Sequence, residues 1–119
     1  MQAIDLAAKF ALFSDHWQPR LVAEMNGQEI RIAKLLGEFC WHAHADADEL
    51  FLVVRGRLRI DFRAHAVELA PGQLLVVPRG VEHRPVATEE VEVLLFEPAG
   101  TKSGGDTDDP RSVTKPERI

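Results

Sequence analysis

Between residues 20 and 97 the apolar positions come in short groups separated by turn-forming pairs, and within several groups they alternate with polar ones. Ile30 and Ile32 alternate with Glu29 and Arg31, and Leu58, Ile60 and Phe62 alternate with Arg57, Arg59 and Asp61. A period of two sends successive side chains to opposite faces of an extended chain, so both stretches predict strands with one face in a core and one in water. Asn26-Gly27 between two β-rich runs predicts a tight hairpin. Gly56 marks a bend between two strands within 50–62, and Pro71-Gly72 marks another turn. The apolar run 74–77 predicts a buried strand, stopped by Pro78-Arg79-Gly80, and 91–96 predicts the last strand. Eight or nine short strands with little helix between them predict an all-β sandwich or barrel. Ahead of them, Ile4, Ala7, Ala8, Ala11 and Leu12 recur at helical spacing, which predicts a short N-terminal helix within 2–13, broken by the segment from Asp15 to Pro19.

Beyond residue 98 the pattern stops. Gly100-Thr101-Lys102-Ser103-Gly104-Gly105-Asp106 is polar and turn-rich, and Asp108-Asp109-Pro110 and Lys115-Pro116-Glu117 continue the trend. The expected organisation is therefore a helix and linker over 1–19, a barrel over 20–97 and a polar tail over 98–119. The tail is expected to be solvated and partly mobile, the alternative being that it packs on the barrel or on a partner subunit.

Composition narrows the function classes. Of 119 residues, 45% are hydrophobic and 28% charged, a balance normal for a globular domain that can bury its own core. The single cysteine, Cys40, rules out an internal disulfide and fits a reducing cytosol. A net charge of −5 without any basic block argues against a partner made of nucleic acid. The apolar runs fall far short of the roughly 20 residues that cross a bilayer, and the N-terminus lacks a basic segment followed by an apolar one. The expectation is a cytoplasmic protein with no membrane partner.

The candidate chemistry lies in Trp41-His42-Ala43-His44. Histidines two apart on a strand share a face, so both imidazoles can point into a barrel and meet one ion. Glu49 follows His44 at an odd offset and would face the other way on an unbroken strand. The small polar segment Ala45-Asp46-Ala47-Asp48 can turn, which resets the parity and lets Glu49 enter from the start of the next strand. His83 likewise follows a turn, Pro78-Arg79-Gly80. Three imidazoles and a carboxylate suit one divalent transition metal (Mn, Fe, Co, Ni, Cu or Zn) and poorly suit Ca or Mg. Four protein ligands leave two positions of a six-coordinate ion open to water or substrate. Cys40 has the parity of the two histidines and reads as a small buried hydrophobe or as a thiol near the ion. Glu38 shares that parity and is the weak candidate for an acid/base group at the barrel mouth, a solvated strand end being the plainer reading. Trp41 is expected in the core on the opposite face, Phe51 to pack against the pocket, and His16, His65 and Arg79 on the surface.

These residues resemble the two motifs of the cupin family. The first motif is matched by Gly37, His42, His44, Glu49 and Gly56, and the second by Gly72, Pro78, Gly80 and His83. The gap from Gly37 to His42 is one residue shorter than usual, and the second motif's Asn is replaced by Ala87. The resemblance covers about residues 20–97. It is closest, in 48–54 and 77–86, to small cupins loosely labelled mannose-6-phosphate isomerase-like. It implies a double-stranded β-helix, or jelly-roll barrel, with His42, His44, Glu49 and His83 as metal ligands, and a homodimer with a small-molecule ligand. The chain has no tyrosine, so it does not match the sugar-nucleotide epimerase cupins, and it is much shorter than full phosphomannose isomerases. The expected function is a metal-dependent enzyme on a small polar substrate, of the sugar-acid isomerase, lyase or dioxygenase type. A ligand-binding or sensing module, or a metal-stabilised structural domain, remains the alternative, because this fold hosts many functions.

Overall fold

The computed structural model describes residues 1–119. One short helix, α1 (Leu6–Phe10), precedes eight strands: β1 (Arg20–Met25), β2 (Gln28–Glu38), β3 (Glu49–Arg55), β4 (Leu58–Phe62), β5 (Ala66–Leu69), β6 (Leu74–Val77), β7 (His83–Pro98) and β8 (Glu117–Arg118). This is the mostly-β architecture that the strand pattern predicts, consistent with the jelly roll that the family resemblance implies. No helix is long and apolar enough to cross a membrane.

β1 and β2 form the predicted hairpin. Asn26 and Gly27 both take positive φ, 53° and 74°, the backbone that a two-residue turn needs to match strand twist. Two long strands then make the spine. β2 pairs with β7 along most of its length, from Gln28↔Pro98 to Glu38↔Val86. On its other edge β7 pairs with β4 through its first residues, Phe62↔His83 to Arg59↔Val86, and with β3 through its last, Val53↔Val93 to Leu50↔Phe96. β7 is thus 16 residues long, where sequence pattern predicts only 91–96. The exposed stretch Thr88-Glu89-Glu90 hides its continuity. Gly56 turns β3 into β4 with φ 85°, and a Cβ there would lie 2.8 Å from the Glu90 carbonyl oxygen, so the close approach requires glycine.

The barrel interior is one apolar cluster built from every second residue: Ala33 and Leu35 of β2, Phe51 and Val53 of β3, Leu58 and Ile60 of β4, and Val91, Val93 and Leu95 of β7, with Trp17 and Phe39. That parity inverts one expectation. Glu29 and Arg31 share the inward face with Ala33 and Leu35, and both are buried. Ile30 and Ile32 instead face outward, where Ile32, Val22 and Phe10 form a second small core beneath α1. Both faces of β2 are covered, so alternation on this strand does not separate core from water.

Other differences have equally local causes. α1 spans five residues rather than the run within 2–13. It starts where the Asp5 carboxylate accepts a hydrogen bond from the Ala8 N–H, and only Phe10 is buried. β6 is an edge strand paired to β3 alone; Val77 is buried but Leu74 and Val76 stay about half exposed, so the run is not the buried strand expected. Trp41 is not core. Its ring lies outside, 3.9 Å from the guanidinium carbon of Arg63 and 5.1 Å from that of Arg84.

The largest correction concerns residues 98–119, which pack back along the barrel instead of extending into solvent. β8 adds in parallel to β1 through Arg20↔Glu117 and Leu21↔Arg118, and the Ile119 N–H donates to the Leu21 carbonyl at 3.1 Å. Arg31 Nη1 donates to the Thr101 carbonyl at 3.0 Å. The tail's backbone groups thus find partners on the barrel, which composition does not reveal.

Candidate metal centre

The segment between β2 and β3 carries the two histidines. It is not a regular strand, as the parity argument assumed, but the alternation survives: His42 and His44 are buried and Ala43 between them is half-buried. A single antiparallel bridge fixes its register, with the His42 N–H donating to the His83 carbonyl at 3.0 Å and the His83 N–H to the His42 carbonyl at 2.9 Å. The Gly80 N–H donates to the His44 carbonyl at 2.8 Å. Ala45 and Asp46 form a bend, and Glu49 is the first residue of β3, so the parity reset occurs where predicted. His83 is the first residue of β7.

Together these elements bring His42, His44, Glu49 and His83 into one buried cluster in which one potential ligand atom from each lies within 4.8 Å of all the others. The ring orientations are fixed from behind. His42 Nδ1 lies 2.9 Å from the Cys40 carbonyl oxygen, and His83 Nδ1 lies 2.9 Å from the Val81 carbonyl oxygen. A carbonyl only accepts, so each Nδ1 carries the proton and each Nε2 presents a bare lone pair to the cluster. His44 Nε2 and His83 Nε2 sit 3.2 Å and 3.4 Å from the same atom, Glu49 Oε1. All three atoms are buried and none has a hydrogen-bond partner. Buried polar atoms facing one another without partners, His83 Nε2 and Glu49 Oε1 among them as acceptors, are costly in a dry site unless a cation lies among them. This donor set can hold a divalent transition metal.

The protonation states favour that role. Burial first, and the neighbouring His83 second, push the His42 imidazole down to about 4, so it is neutral and able to donate its lone pair at pH 7.

Behind Glu49 lies a second buried group that the sequence reading did not single out. Glu97, on β7, is pushed well above the usual carboxylate range by burial and then by the charge of the neighbouring Glu49. Arg31 Nη1 sits 3.2 Å from Glu97 Oε1, and Arg31 Nε donates to Glu29 Oε1 at 3.0 Å. The signal for Glu97 was present, since Val91, Val93, Leu95 and Glu97 keep one inward parity.

The remaining candidates separate from the cluster. Phe51 borders it, its ring edge-on to His83 at 6.1 Å. Cys40 packs against the core with Sγ 3.5 Å from Thr107 Oγ1. Glu38 is not brought to the cluster; its exposed carboxylate lies 3.6 Å from Arg84 Nη1. His16 pairs with Glu90, the exposed His65 stacks on Phe62, and Arg79 is exposed beside Asp48.

Two spaces adjoin the cluster. One is a chamber of about 40 Å³ that reaches His42 and Glu49 and is otherwise lined mainly by Trp17, Ala33, Leu35, Phe39, Phe51 and Leu95, with no lysine or arginine. The other is an open cleft of about 380 Å³ on the His44 side, walled by 43–47 and the tail, with Asp46, Lys102 and Asp106.

Comparison with known proteins agrees with the fold and the motif. A family model described as "Cupin domain" matches residues 26–97. A cupin-2 domain protein of Shewanella frigidimarina is 47% identical, with TM-score 0.80, over 81% of this chain and 94% of that one. The Neisseria meningitidis protein NMB1881 is 30% identical, with TM-score 0.75, over 82% of this chain and 99% of that one. The uncharacterised Bacillus subtilis protein YdbB is 41% identical over 64 residues, which are 53% of this chain and 57% of YdbB, so the match spans little more than half of that relative. With the matched model spanning both motifs and the strands between them, the chain belongs to the cupin domain family.

Proposed function

We propose that this protein is a metal-dependent enzyme of dioxygenase type, whose ion is one divalent transition metal held by His42, His44, Glu49 and His83 and whose substrate is a small polar molecule. The observation that carries the metal is the set of three buried, mutually facing ligand atoms, His44 Nε2, His83 Nε2 and Glu49 Oε1, none with a hydrogen-bond partner. A redox-active ion there would supply oxygen activation at its open positions. The chain's own residues supply the rest. The Cys40 and Val81 carbonyls aim two imidazoles, Glu97 lies buried beside Glu49, and Phe39, Phe51 and Leu95 keep water from one side.

The choice among reaction types rests on the two spaces. An apolar cavity of about 150 Å³ takes benzene, so a chamber of about 40 Å³ admits a diatomic gas and not a sugar ring. It also lacks a cation to pair a uronate carboxylate, which disfavours the sugar-acid isomerase and lyase versions on that side. The polar cleft beside His44 is the space that suits an organic substrate. The test is elemental analysis of natively purified protein, followed by oxygen-uptake and mass-spectrometric screens with small metabolites. We expect about one ion per chain, lost in His42→Ala/His44→Ala, and oxygen uptake with at least one substrate. Stoichiometric metal in the double variant overturns the ligand set. Turnover without oxygen consumption overturns the reaction type.

A further inference from the structure

The two histidines of the His42-Ala43-His44 segment face inward, and the backbone of Ala43 faces the tail. Its N–H donates to Asp106 Oδ1 at 3.0 Å, and its carbonyl accepts from the Asp106 N–H at 3.1 Å. One tail residue thus brackets both backbone polar groups of the residue that joins two candidate ligands. No other hydrogen bond holds these two groups, because the bridge to His83 uses the backbone of His42 and the contact with Gly80 uses that of His44.

Gly105 completes the fit. It has φ +58°, and a Cβ built on it would collide with the Ala43 carbonyl oxygen and lie 3.0 Å from Cδ2 of the His42 ring. The turn presenting these residues is internally braced. The Gly105 N–H donates to the Lys102 carbonyl at 2.9 Å, the Thr107 N–H to the Gly104 carbonyl at 3.1 Å, and Lys102 Nζ to the Thr107 carbonyl at 2.6 Å. Further along, Arg111 Nη1 donates to the Glu38 carbonyl at 2.9 Å. The tail therefore grips the ligand segment at the start and in the middle of its irregular stretch.

We propose that Gly105 and Asp106 are positioning residues of the metal centre: the turn over 102–107 holds the His42-Ala43-His44 backbone in the register that lets both imidazoles reach one ion. This rests on the metal reading above. The polar tail is then part of the site rather than an appendage, and metal affinity depends on residues about 60 positions away in sequence.

The experiment compares the full chain with Asp106→Ala, Asp106→Asn and Gly105→Ala, and with Arg118→Ala as a variant that loosens the tail at its far end. Two quantities are read: the Kd for Zn²⁺ by chelator competition, and amide hydrogen exchange at residues 42–44 in metal-free protein. Asp106→Ala and Gly105→Ala should weaken Zn²⁺ binding by about 10- to 100-fold and speed exchange at Ala43 by about tenfold or more. Asp106→Asn keeps an acceptor oxygen and its own N–H, so it should stay within about threefold of the parent. Arg118→Ala should change neither. Unchanged exchange at Ala43 in Asp106→Ala overturns the positioning role whatever the protein's metal content. Accelerated exchange at Ala43 in Asp106→Ala, together with no Zn²⁺ binding by the parent chain, overturns the metal reading while keeping the brace. Equal weakening by Arg118→Ala shows general loosening and also overturns the proposal.

Discussion

Two buried polar clusters lie side by side at one end of this barrel, and they solve the same problem in opposite ways. In one, Arg31 supplies the cation: it sits between Glu29 and Glu97 and also donates to the Thr101 carbonyl of the tail. In the other, three imidazoles and Glu49 bring only lone pairs and a negative charge, and their facing atoms have no partner. A buried charge is tolerated when its counter-charge is built into the chain. Where the chain leaves the counter-charge out, the site calls for an ion. The Glu97–Glu49 contact joins the two clusters, so each can be broken separately and the effect on the other measured.

Removing the built-in cation should have the largest effect on folding. Arg31→Ala leaves the buried Glu29 without its counter-charge, removes the guanidinium beside Glu97 and strips the donors from the tail carbonyls. Loss of one partner of such a buried group typically costs about 3–5 kcal/mol, to be read by denaturant unfolding of metal-free protein. A cost under about 1 kcal/mol would show that water or relaxation replaces the guanidinium. His83→Ala makes the converse change. It removes one bare lone pair from the other cluster, so metal-free stability should change less than in Arg31→Ala, while Zn²⁺ affinity should fall by more than about 100-fold, beyond what losing a supporting residue costs. Equal effects of the two variants on both quantities would erase the distinction between the clusters.

The link between them should give an intermediate result. Glu97→Ala removes the buried carboxyl beside Glu49 and should weaken metal binding by about tenfold or more. Glu97→Gln keeps a polar group of the same size there and should recover most of that loss. If the glutamine variant is as weak as the alanine variant, the carboxyl of Glu97 acts through Arg31 rather than through Glu49.

The two clusters were not equally legible in the sequence. The four candidate ligands stand out because the His-x-His spacing, the turn before Glu49 and the turn before His83 are local features, and local parity survives even where the strand is irregular. Arg31 and Glu29 are misread, and Glu97 is passed over, for a nonlocal reason. Alternation along β2 shows which residues share a face but not which face is dry, and here α1 covers one face while the barrel interior and the tail cover the other. The tail escapes the same reasoning. Its glycines and charged residues look like solvent-exposed chain, yet Gly105 is needed where it crosses His42, and Asp106 and Arg111 meet backbone groups of the ligand segment, which no side-chain pattern announces.

The smallest effect tests whether the tail stays seated as pH changes. The Arg111 guanidinium, bonded through Nε and Nη2 to the two Asp109 oxygens, pulls the Asp109 carboxyl down from 3.8 to about 2. A carboxyl lowered in the folded state contributes stability that is fully present above its unfolded value and disappears as pH falls through the folded one. The pair should therefore hold from neutral pH to about 4 and weaken only between about 4 and 2. The same arginine reaches the Glu38 carbonyl and lies 4.7 Å from the centre of the Phe39 ring, so that pH window is also where the tail should begin to release the start of the ligand segment. Carbon-detected NMR of the Asp109 carboxyl should give a midpoint near 2, moving toward 3.8 in Arg111→Ala. The effect on global stability should be small, because the Arg111 side chain is 37% exposed and solvent screens the pair. A midpoint near 3.8 in the parent chain would mean that Asp109 and Arg111 do not pair in solution, which leaves the Asp106–Ala43 bracket as the tail's only polar grip on the histidine segment itself.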